Sequence, residues 1–341
     1  MTDLAKMGTK KKRVFSGFQP SGELHLGNYL GAFKGWAERQ SQKENFFCIV
    51  DLHAITVPQA PDDLRARTRS HAAMLFALGL DPAHCAIFVQ SHVEAHAEAC
   101  WILNCVTPLG WLERMTQYKD KAGSQESVLT GLLAYPVLMA ADIILYDANE
   151  VPVGDDQKQH VELARDIAQR FNHQYGETFI VPEPVTQGRI MSLNDPKVKM
   201  SKTYSSVRGH AVGMLDDAKE VERSIKRAMT DSGGDIVFSD EPTKAGVNNL
   251  LRIYQSIVGK SDEDVEKDFA NARGYGDLKT RVSEVVIEEL RPIRERYYEI
   301  VEDQNELDRL LANGAAQARS VSQPKLDEVK HRVGLVLPGN R

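Results

Sequence analysis

Residues 14–32 read VFSGFQPSGELHLGNYLGA and decide the fold expected for the first half of the chain. The stretch begins with a short β-prone run, Val14-Phe15, crosses a turn rich in Gly and Pro, and enters a predicted helix near Gly27. Glycines at such a junction let backbone N–H groups approach a phosphate closely, and the positive end of the helix points to the same place. The stretch therefore predicts a strand, a turn and a helix that together bind a nucleotide.

Two widespread phosphate-binding motifs are missing from this junction. GxxxxGK[ST] is absent, which excludes a Walker P-loop, and GxGxxG is absent, which excludes the dinucleotide fingerprint. What remains is the tetrapeptide His25-Leu26-Gly27-Asn28. These four residues alone would favour a glycine-rich turn without a ligand, so the argument for a nucleotide depends on the longer run.

The sequence that follows predicts a parallel sheet. Residues 45–50 (NFFCIV) and 86–90 (AIFVQ) are apolar runs typical of strands buried on both faces, and residues 62–79 between them have helical character. Strand–helix–strand units with short loops indicate a doubly wound sheet, in which ligands lie at the carboxyl ends of the strands. One crevice is therefore expected to collect the three strand ends, at residues 17–21, 51–53 and 90–92.

Helices dominate the rest of the chain. Predicted helices cover residues 95–106, 126–146 (kinked at Pro136) and 156–171, and residues 151–154 form a short strand.

Strand signals nearly vanish after about Thr203, and a long helix at 278–301 is expected to be interrupted near Pro292. We therefore predict an α/β fold, with a doubly wound (Rossmann-like) parallel sheet followed by a C-terminal all-helical domain. The predicted division is a flexible basic lead-in at 1–13, a Rossmann-like domain at 14–207 and a helical domain at 208–341.

The composition is that of an ordinary globular protein, with 341 residues, a net charge of −6, 42% hydrophobic residues and 26% charged residues. No apolar run approaches the roughly 20 residues of a membrane span, and the basic start lacks the apolar run of a secretory signal. None of the four cysteines forms a CxxC pair, so a structural zinc site is not expected. The cysteines are expected to be free thiols, which indicates a reducing cytoplasm. The negative charge argues against indiscriminate coating of nucleic acid but allows one RNA held by local basic patches.

A second motif, KMSKT at residues 199–203, lies after the predicted sheet and before the helical region. Transfer of an adenylyl group develops negative charge on the α-phosphate and the departing pyrophosphate, and two ammonium groups on a mobile loop could follow that charge. Lysine suits this role because its stem is long and its charge is compact. Alone, KMSKT would be a solvated basic loop, but its position after HLGN favours a phosphate site.

These motifs resemble those of a known family. QPSGELHLGN is similar to the first signature of class I aminoacyl-tRNA synthetases, and KMSKT resembles their KMSKS loop, with Thr203 keeping the final hydroxyl. The longer run GFQPSGELHLGNYLGA resembles the bacterial tryptophan branch, which tolerates Asn28 where the general form has a second His. The segments ERMTQYK (113–119), MAADI (139–143) and VPVGDDQKQH (151–160) resemble the same branch.

The resemblance implies an ATP site built from both signatures and from the turn after the strand at 151–154. Asp156 would accept from the ribose hydroxyls, although an Asp at this place is also a good helix N-cap. The residues implied for ATP are Gln19, Pro20, Ser21, His25, Gly27, Asn28, Gly154, Asp155, Asp156, Ile190, Lys199, Met200, Ser201, Lys202 and Thr203. The residues implied for catalysis are Lys199, Lys202 and Lys121, with Lys119 as an open alternative to Lys121.

Tyr135, Met139 and Asp142 are spaced i, i+4, i+7 and share one face of a predicted helix. An Asp on an apolar face is costly unless paired, and the indole N–H is a donor only, so a carboxylate beneath an apolar slot would recognise tryptophan. On the residues alone, a core Asp that caps a neighbouring element is a serious alternative. The residues implied for tryptophan are Phe15, Gly17, Gln19, His53, Tyr135, Met139, Asp142, Val151, Val153 and Gln157.

No side chain is expected to bind a metal ion. His92 and His96 have an i, i+4 spacing, but no carboxylate or further His stands at a metalloprotease spacing. The resemblance implies instead that Mg²⁺ is bound through the phosphates of ATP.

The resemblance implies that L-tryptophan is activated with ATP to tryptophanyl-adenylate and passed to tRNA-Trp, with release of AMP and pyrophosphate. It also implies a cytoplasmic homodimer without membrane association, in which residues 14–207 are catalytic and the helical domain reads the anticodon. One alternative is the sister enzyme for tyrosine, because a phenol could also donate to Asp142. The other is a non-catalytic RNA-binding relative, against which the presence of both HLGN and KMSKT argues.

Overall fold

The computed structural model describes residues 11–122, 128–186, 188–200 and 209–339, and of residues 120–122 and 156 it describes the backbone alone. A five-stranded sheet lies at its centre, with the strand order β3-β2-β1-β4-β5 and all neighbours parallel. The strands are β1 (Arg13–Phe18), β2 (Glu44–Ile49), β3 (Cys85–Val89), β4 (Glu150–Val153) and β5 (Glu183–Thr186). Because the strand order reverses between β1 and β4, a ligand crevice is expected at the carboxyl ends of these two strands.

Alternating side chains of the central strands enter two separate apolar cores. Phe47 and Ile49 of β2 belong to one core, and Phe46 and Cys48 belong to the other. Successive side chains of a strand point to opposite faces, so a run that is apolar at every position requires helices on both faces. The doubly wound sheet predicted from the sequence is confirmed.

The helices of the first half cover both faces of the sheet. In chain order they are α1 (Leu26–Asn28), α2 (Lys34–Arg39), α3 (Asp51–Ala54), α4 (Pro61–Ala77), α5 (Ala95–Asn104), α6 (Leu109–Glu113), α7 (Thr116–Ala122), α8 (Thr130–Ile144) and α9 (Lys158–Tyr175). A π-helical turn, Tyr29–Phe33, joins α1 to α2. The predicted helix at 126–146 corresponds to α8, and its predicted first two residues lie outside the described part of the chain.

The described C-terminal region contains helices joined by loops and no strand of the sheet. The α-helices are α10 (Ala218–Lys226), α11 (Ala245–Val258), α12 (Asp262–Asp268), α13 (Tyr275–Glu302) and α14 (Gln304–Arg332). The predicted interruption of the long helix near Pro292 is wrong, because α13 continues through this residue. Leu290 and Ile293 are buried on either side of it, so packing outweighs the hydrogen bond that proline removes.

Helix α14 returns to the sheet and packs along the edge strand β3. Its first half contributes Leu307 and Leu311 to one core, and its second half contributes Leu326 and Val329 to the other. The core that holds α10–α13 is continuous with the one that holds α4. The predicted division between residues 207 and 208 lies within the stretch 201–208, which is outside the described residues.

Two further observations bear on the ends of the chain and on membranes. β1 begins at Arg13, so this residue belongs to the sheet rather than to the predicted lead-in at 1–13. Among the residues that the structure describes, no helix combines the length and the apolar character that crossing a membrane requires.

Candidate active site

A cavity of about 440 Å³ opens at the point where the strand order reverses. The carboxyl ends of β1 and β4 form two of its walls, through Gly17 and Gln19 on one side and Val153 and Gly154 on the other. Helix α8 contributes Asp142 among other residues. The cavity therefore lies where parallel α/β sheets bind their ligands.

The HLGN tetrapeptide forms a reciprocal cap at the start of α1. The Asn28 backbone N–H donates to His25 Nδ1 at 3.3 Å, and the His25 N–H donates to Asn28 Oδ1 at 3.2 Å. Two of the backbone donors at the helix start are thus satisfied by side chains. His25 is buried, whereas Gly27 and Asn28 line the cavity.

The π-helical turn that follows is pinned to the loop that leads to KMSKT. The Gly31 carbonyl accepts a hydrogen bond from the Gly188 N–H at 3.1 Å. A Cβ at Gly31 would come within 2.7 Å of the Gly188 oxygen, so only glycine permits this approach. The contact brings the first signature and the approach to the second one side by side.

Only the first two residues of KMSKT lie within the described chain. Lys199 is exposed and lines the cavity, whereas Met200 is buried in the apolar core together with Ile190. The Met200 N–H donates to the Ile190 carbonyl at 3.1 Å. Of the nucleotide-binding and catalytic residues predicted from the sequence, Ser201, Lys202 and Thr203 lie outside the described residues, as does the side chain of Lys121.

The turn after β4 carries the third predicted cluster. Gly154 and Gln157 line the cavity. Asp155 forms ion pairs with Lys158, at 2.7 Å, and with Arg189, so these cations compete with any ligand for its carboxylate. The side chain of Asp156 lies outside the description.

Asp142 lies at the inner end of the cavity and is 1% exposed. Its Oδ2 accepts from His53 Nε2 at 2.8 Å. Its Oδ1 accepts from Gln90 Nε2 at 2.7 Å and from His96 Nδ1 at 2.6 Å. From the sequence, His53 was expected at this pocket and Gln90 at the crevice without a role of its own, whereas His96 was expected in neither place.

The hydrogen bonds around Asp142 keep its buried carboxylate ionised. Burial by itself would raise the pKa of Asp142, but the hydrogen bonds from His53 and His96 outweigh it and lower the pKa to about 2. Asp142 is therefore an acceptor without a proton over the physiological range. An acceptor-only group at the closed end of a cavity selects a ligand that carries a donor there.

Tyr135 forms a second polar cluster on the same helix. Its hydroxyl donates to Gln117 Oε1 at 2.8 Å and lies 2.8 Å from His160 Nε2. Burial raises the pKa of Tyr135 to about 12, so the phenol keeps its proton. Gln117 also lines the cavity, although no site role was expected for it from the sequence.

All ten residues predicted to bind the amino acid line this one cavity. Of the predicted nucleotide-binding residues, those that line it are Gln19, Ser21, Gly27, Asn28, Gly154 and Lys199. Those with described side chains that do not line it are Pro20, His25, Asp155, Ile190 and Met200. Across the described ranges, no three His, Cys, Asp or Glu side chains come together as a group that could hold a metal ion.

The family model of the class I tRNA synthetases for tryptophan and tyrosine matches residues 7–291. The chain belongs to this class of enzymes. Its sequence is 48% identical to a tryptophan–tRNA ligase of Wolinella succinogenes, over 96% of this chain and 99% of the relative. It is likewise 48% identical to the enzyme of that name from Bacillus subtilis, over 95% of this chain and 98% of the relative. Within the class, the chain is thus a member of the bacterial tryptophanyl-tRNA synthetases.

Solved structures of this branch share the fold. The tryptophanyl-tRNA synthetase of Mycoplasma pneumoniae has a TM-score of 0.86 and 35% identity, over 96% of this chain and 98% of that chain. The Campylobacter jejuni enzyme, complexed with ADP and tryptophan, has a TM-score of 0.81 and 36% identity, over 95% of this chain and 100% of that chain.

Proposed function

We propose that this enzyme activates L-tryptophan with ATP to tryptophanyl-adenylate and transfers the tryptophanyl group to tRNA-Trp. The observation that carries the proposal is that the buried, ionised Asp142 lines the same cavity as Gly27 and Asn28 of the HLGN segment and Lys199. An amino-acid site and a nucleotide site are thus continuous, as adenylate formation requires.

In the first step, an oxygen of the tryptophan carboxylate forms a bond to the α-phosphorus of ATP. The bond from that phosphorus to the bridging oxygen breaks, and its electron pair leaves with pyrophosphate. The attacking carboxylate is already a nucleophile, so the protein acts by positioning and by stabilising charge. Lys199, joined by Lys202, supplies positive charge to the departing pyrophosphate. In the second step, a terminal ribose hydroxyl of tRNA-Trp forms an ester bond to the carbonyl carbon and loses its proton, while the bond from that carbon to the phosphate oxygen breaks and AMP leaves with the electron pair.

Asp142 recognises the indole ring in this proposal. A carboxylate has about four lone-pair positions, and His53, Gln90 and His96 occupy three of them. The remaining position accepts the indole N–H, while the slot is walled by the apolar lining residues Phe15, Met139, Val151 and Val153. A side chain without a donor leaves the acid unsatisfied, which gives strong rejection.

Further parts of the proposal concern the assembly. Mg²⁺ enters with the ATP phosphates, residues 14–207 form the catalytic domain, and residues 208–341 form the tRNA anticodon-binding domain. The enzyme acts in the cytoplasm as a homodimer. Exposed apolar side chains support the dimer, since Trp101 of α5 is 71%, Leu109 of α6 58% and Leu129, just before α8, 52% exposed, and α5 and α6 both pack against α8.

ATP–pyrophosphate exchange tests the proposal directly. Purified protein with Mg²⁺ receives tryptophan, tyrosine or phenylalanine in turn, and the exchange rate is measured for each. Exchange with tryptophan alone is the expected result. Exchange with tyrosine would contradict the indole pocket, and folded protein that exchanges with none of the three would contradict the enzyme assignment.

A further inference from the structure

A chain of buried hydrogen bonds continues behind Asp142, away from the cavity. His96 is 0% exposed, and while its Nδ1 contacts Asp142 its Nε2 lies 2.8 Å from the Tyr146 hydroxyl. Tyr146 is also 0% exposed. Neither residue lines the cavity, so both can affect a ligand only through Asp142 or the pocket wall.

The bonding partners fix the proton of His96. An ionised carboxylate has no donor, so His96 Nδ1 carries the hydrogen that it donates to Asp142. In the neutral ring, Nε2 is then an acceptor, and it receives the Tyr146 O–H. Tyr146 is thus linked to Asp142 through His96, whichever of the Tyr146 hydroxyl and His96 Nε2 donates to the other.

Gln90 is oriented in a comparable way. Its Oε1 accepts from the Leu52 backbone N–H at 3.1 Å, which turns Nε2 toward Asp142. Two fixed donors thus hold one oxygen of the carboxylate. The other oxygen has only His53 as a partner among the hydrogen bonds of the described residues, and it keeps one lone pair for a ligand.

The same tyrosine also supports the apolar wall of the cavity. The ring of Tyr146 stacks on Phe15, with centroids 5.2 Å apart and an interplanar angle of 22°. Phe15 lines the cavity and lies in β1. The Tyr146 hydroxyl holds the acid through His96 while its ring supports the slot, so one side chain couples the two halves of the pocket.

We propose that His96 and Tyr146 are positioning residues that set amino-acid specificity, by holding the Asp142 carboxylate so that it offers a single acceptor position to the ligand. This inference rests on the proposed function, since it assigns a role within the same pocket. It extends the site to residues that no ligand atom reaches.

Few titratable groups can complicate a pH test of this proposal. Those whose charge acts on Asp142 are Cys48 of β2, Cys100 and His96 of α5, Tyr146, which follows α8, and His53 of α3. Burial raises the pKa of Cys48 and Tyr146 well above their usual values and that of Cys100 to about 11. These three stay neutral near physiological pH, and His53 is the same in every variant compared.

The test compares His96→Leu, His96→Asn and Tyr146→Phe with the wild type by ATP–pyrophosphate exchange. His96→Leu removes a donor to a charged group, so the KM for tryptophan should rise about 10- to 100-fold, with little change in the KM for ATP. Discrimination against tyrosine and phenylalanine should fall. His96→Asn keeps an amide donor near the Nδ1 position and should recover part of the loss. Tyr146→Phe keeps its volume and should raise the tryptophan KM about 2- to 10-fold.

The pH profile separates positioning from mere structural support. With His96 replaced by Leu, burial is no longer fully offset, so the pKa of Asp142 rises from about 2 toward neutrality. Affinity for tryptophan should then fall as pH is lowered from about 8 to 5, while the KM for ATP follows the wild-type profile. A variant that is only less stable would lose activity toward all substrates without acquiring this acid limb.

His92→Leu is the matched control, because His92 is exposed on the turn just before α5 and should change none of these quantities. Unaltered tryptophan KM, selectivity and pH profile in folded His96→Leu would overturn the inference. If that variant fails to fold, the same criteria apply to His96→Asn and Tyr146→Phe. Lack of tryptophan exchange in the wild type would instead refute the proposed function itself.

Discussion

At the scale of single residues, side chains of the two signatures divide into those that build the turn and those that face the ligand. His25 and Asn28 cap each other's backbone, which explains why an uncharged Asn serves at the last position of the tetrapeptide. Met200 anchors the second signature in the core, and Lys199 beside it reaches the cavity. Neighbouring residues of one motif thus have separate tasks.

Lys199→Ala tests the charge that this residue supplies to departing pyrophosphate. The kcat of ATP–pyrophosphate exchange should fall about 10²- to 10³-fold, because the interaction is made mainly in the transition state, while the KM for ATP changes little. Lys197→Ala is the control, since Lys197 is exposed nearby and does not line the cavity. Comparable losses in ATP affinity and kcat would mean that Lys199 only binds ATP.

At the scale of elements, the π-helical turn after HLGN is held from two sides. On one side Gly31 contacts the Gly188 backbone, and on the other Glu289 of α13 accepts from the Tyr29 hydroxyl at 2.6 Å and from Lys34 Nζ at 2.9 Å. Burial and the bond to Glu289 raise the pKa of Tyr29, so its hydroxyl remains a donor. A helix from the C-terminal region therefore fixes the helical segment that follows the first signature.

Glu289→Ala should lower the free energy of unfolding by about 1–3 kcal/mol, because it leaves the buried Tyr29 hydroxyl without its acceptor. Urea denaturation at neutral pH measures this. Glu288→Ala, on the exposed face of the same helix, removes a pairing with Arg291 and should cost at most about 0.5 kcal/mol. Equal costs in the two variants would refute the role given to Glu289.

The close packing of α14 against strand β3 depends on Gly314. A Cβ at Gly314 would overlap the Ile87 carbonyl of β3, which cannot move without disturbing the sheet. Gly314→Ala should therefore destabilise the protein by about 1–3 kcal/mol or shift the helix. Gly276→Ala in α13 meets open space and should be neutral or stabilising by at most about 1 kcal/mol. Thermal unfolding that ranks the two variants alike would contradict this packing.

At the scale of the whole molecule, helix α14 packs the C-terminal end of the described chain against the sheet. This helix covers one edge of the sheet and contributes to both cores, while α13 packs against α4. The helical region therefore shares its apolar core with the sheet. Removing it would expose that core, so loss of tRNA charging in such a truncation would reflect unfolding as well as loss of RNA contacts.

The proposed dimer is tested by Trp101→Arg. A charge placed in the exposed apolar region of α5 should yield a monomer in sedimentation velocity, if that region is the contact between copies. Tyr298→Arg, at a position 53% exposed on α13, should leave the assembly unchanged. A dimer that persists in the first variant would show that the copies meet elsewhere.

The sequence by itself determined the doubly wound sheet, apart from its edge strand β5, and the edge of the sheet at which the cavity lies. Apolar runs at every position of β2 and β3 require a doubly wound sheet, and the motifs at the strand ends meet at the reversal of strand order. For this reason every residue assigned to the amino acid lines one cavity. These inferences succeed because strand period and helix spacing are local properties of the chain.

Tertiary structure alone decided which partners those residues have. His96 looked like an ordinary helical histidine beside His92, yet it contacts a carboxylate 46 residues away. The Asp155 carboxylate forms an ion pair with Arg189. Helix α13 continues through Pro292, where the sequence predicted an interruption. In each case the outcome depends on groups that are distant in sequence and adjacent in space. The free energy of burying and pairing these groups exceeds the conformational preference of the local sequence.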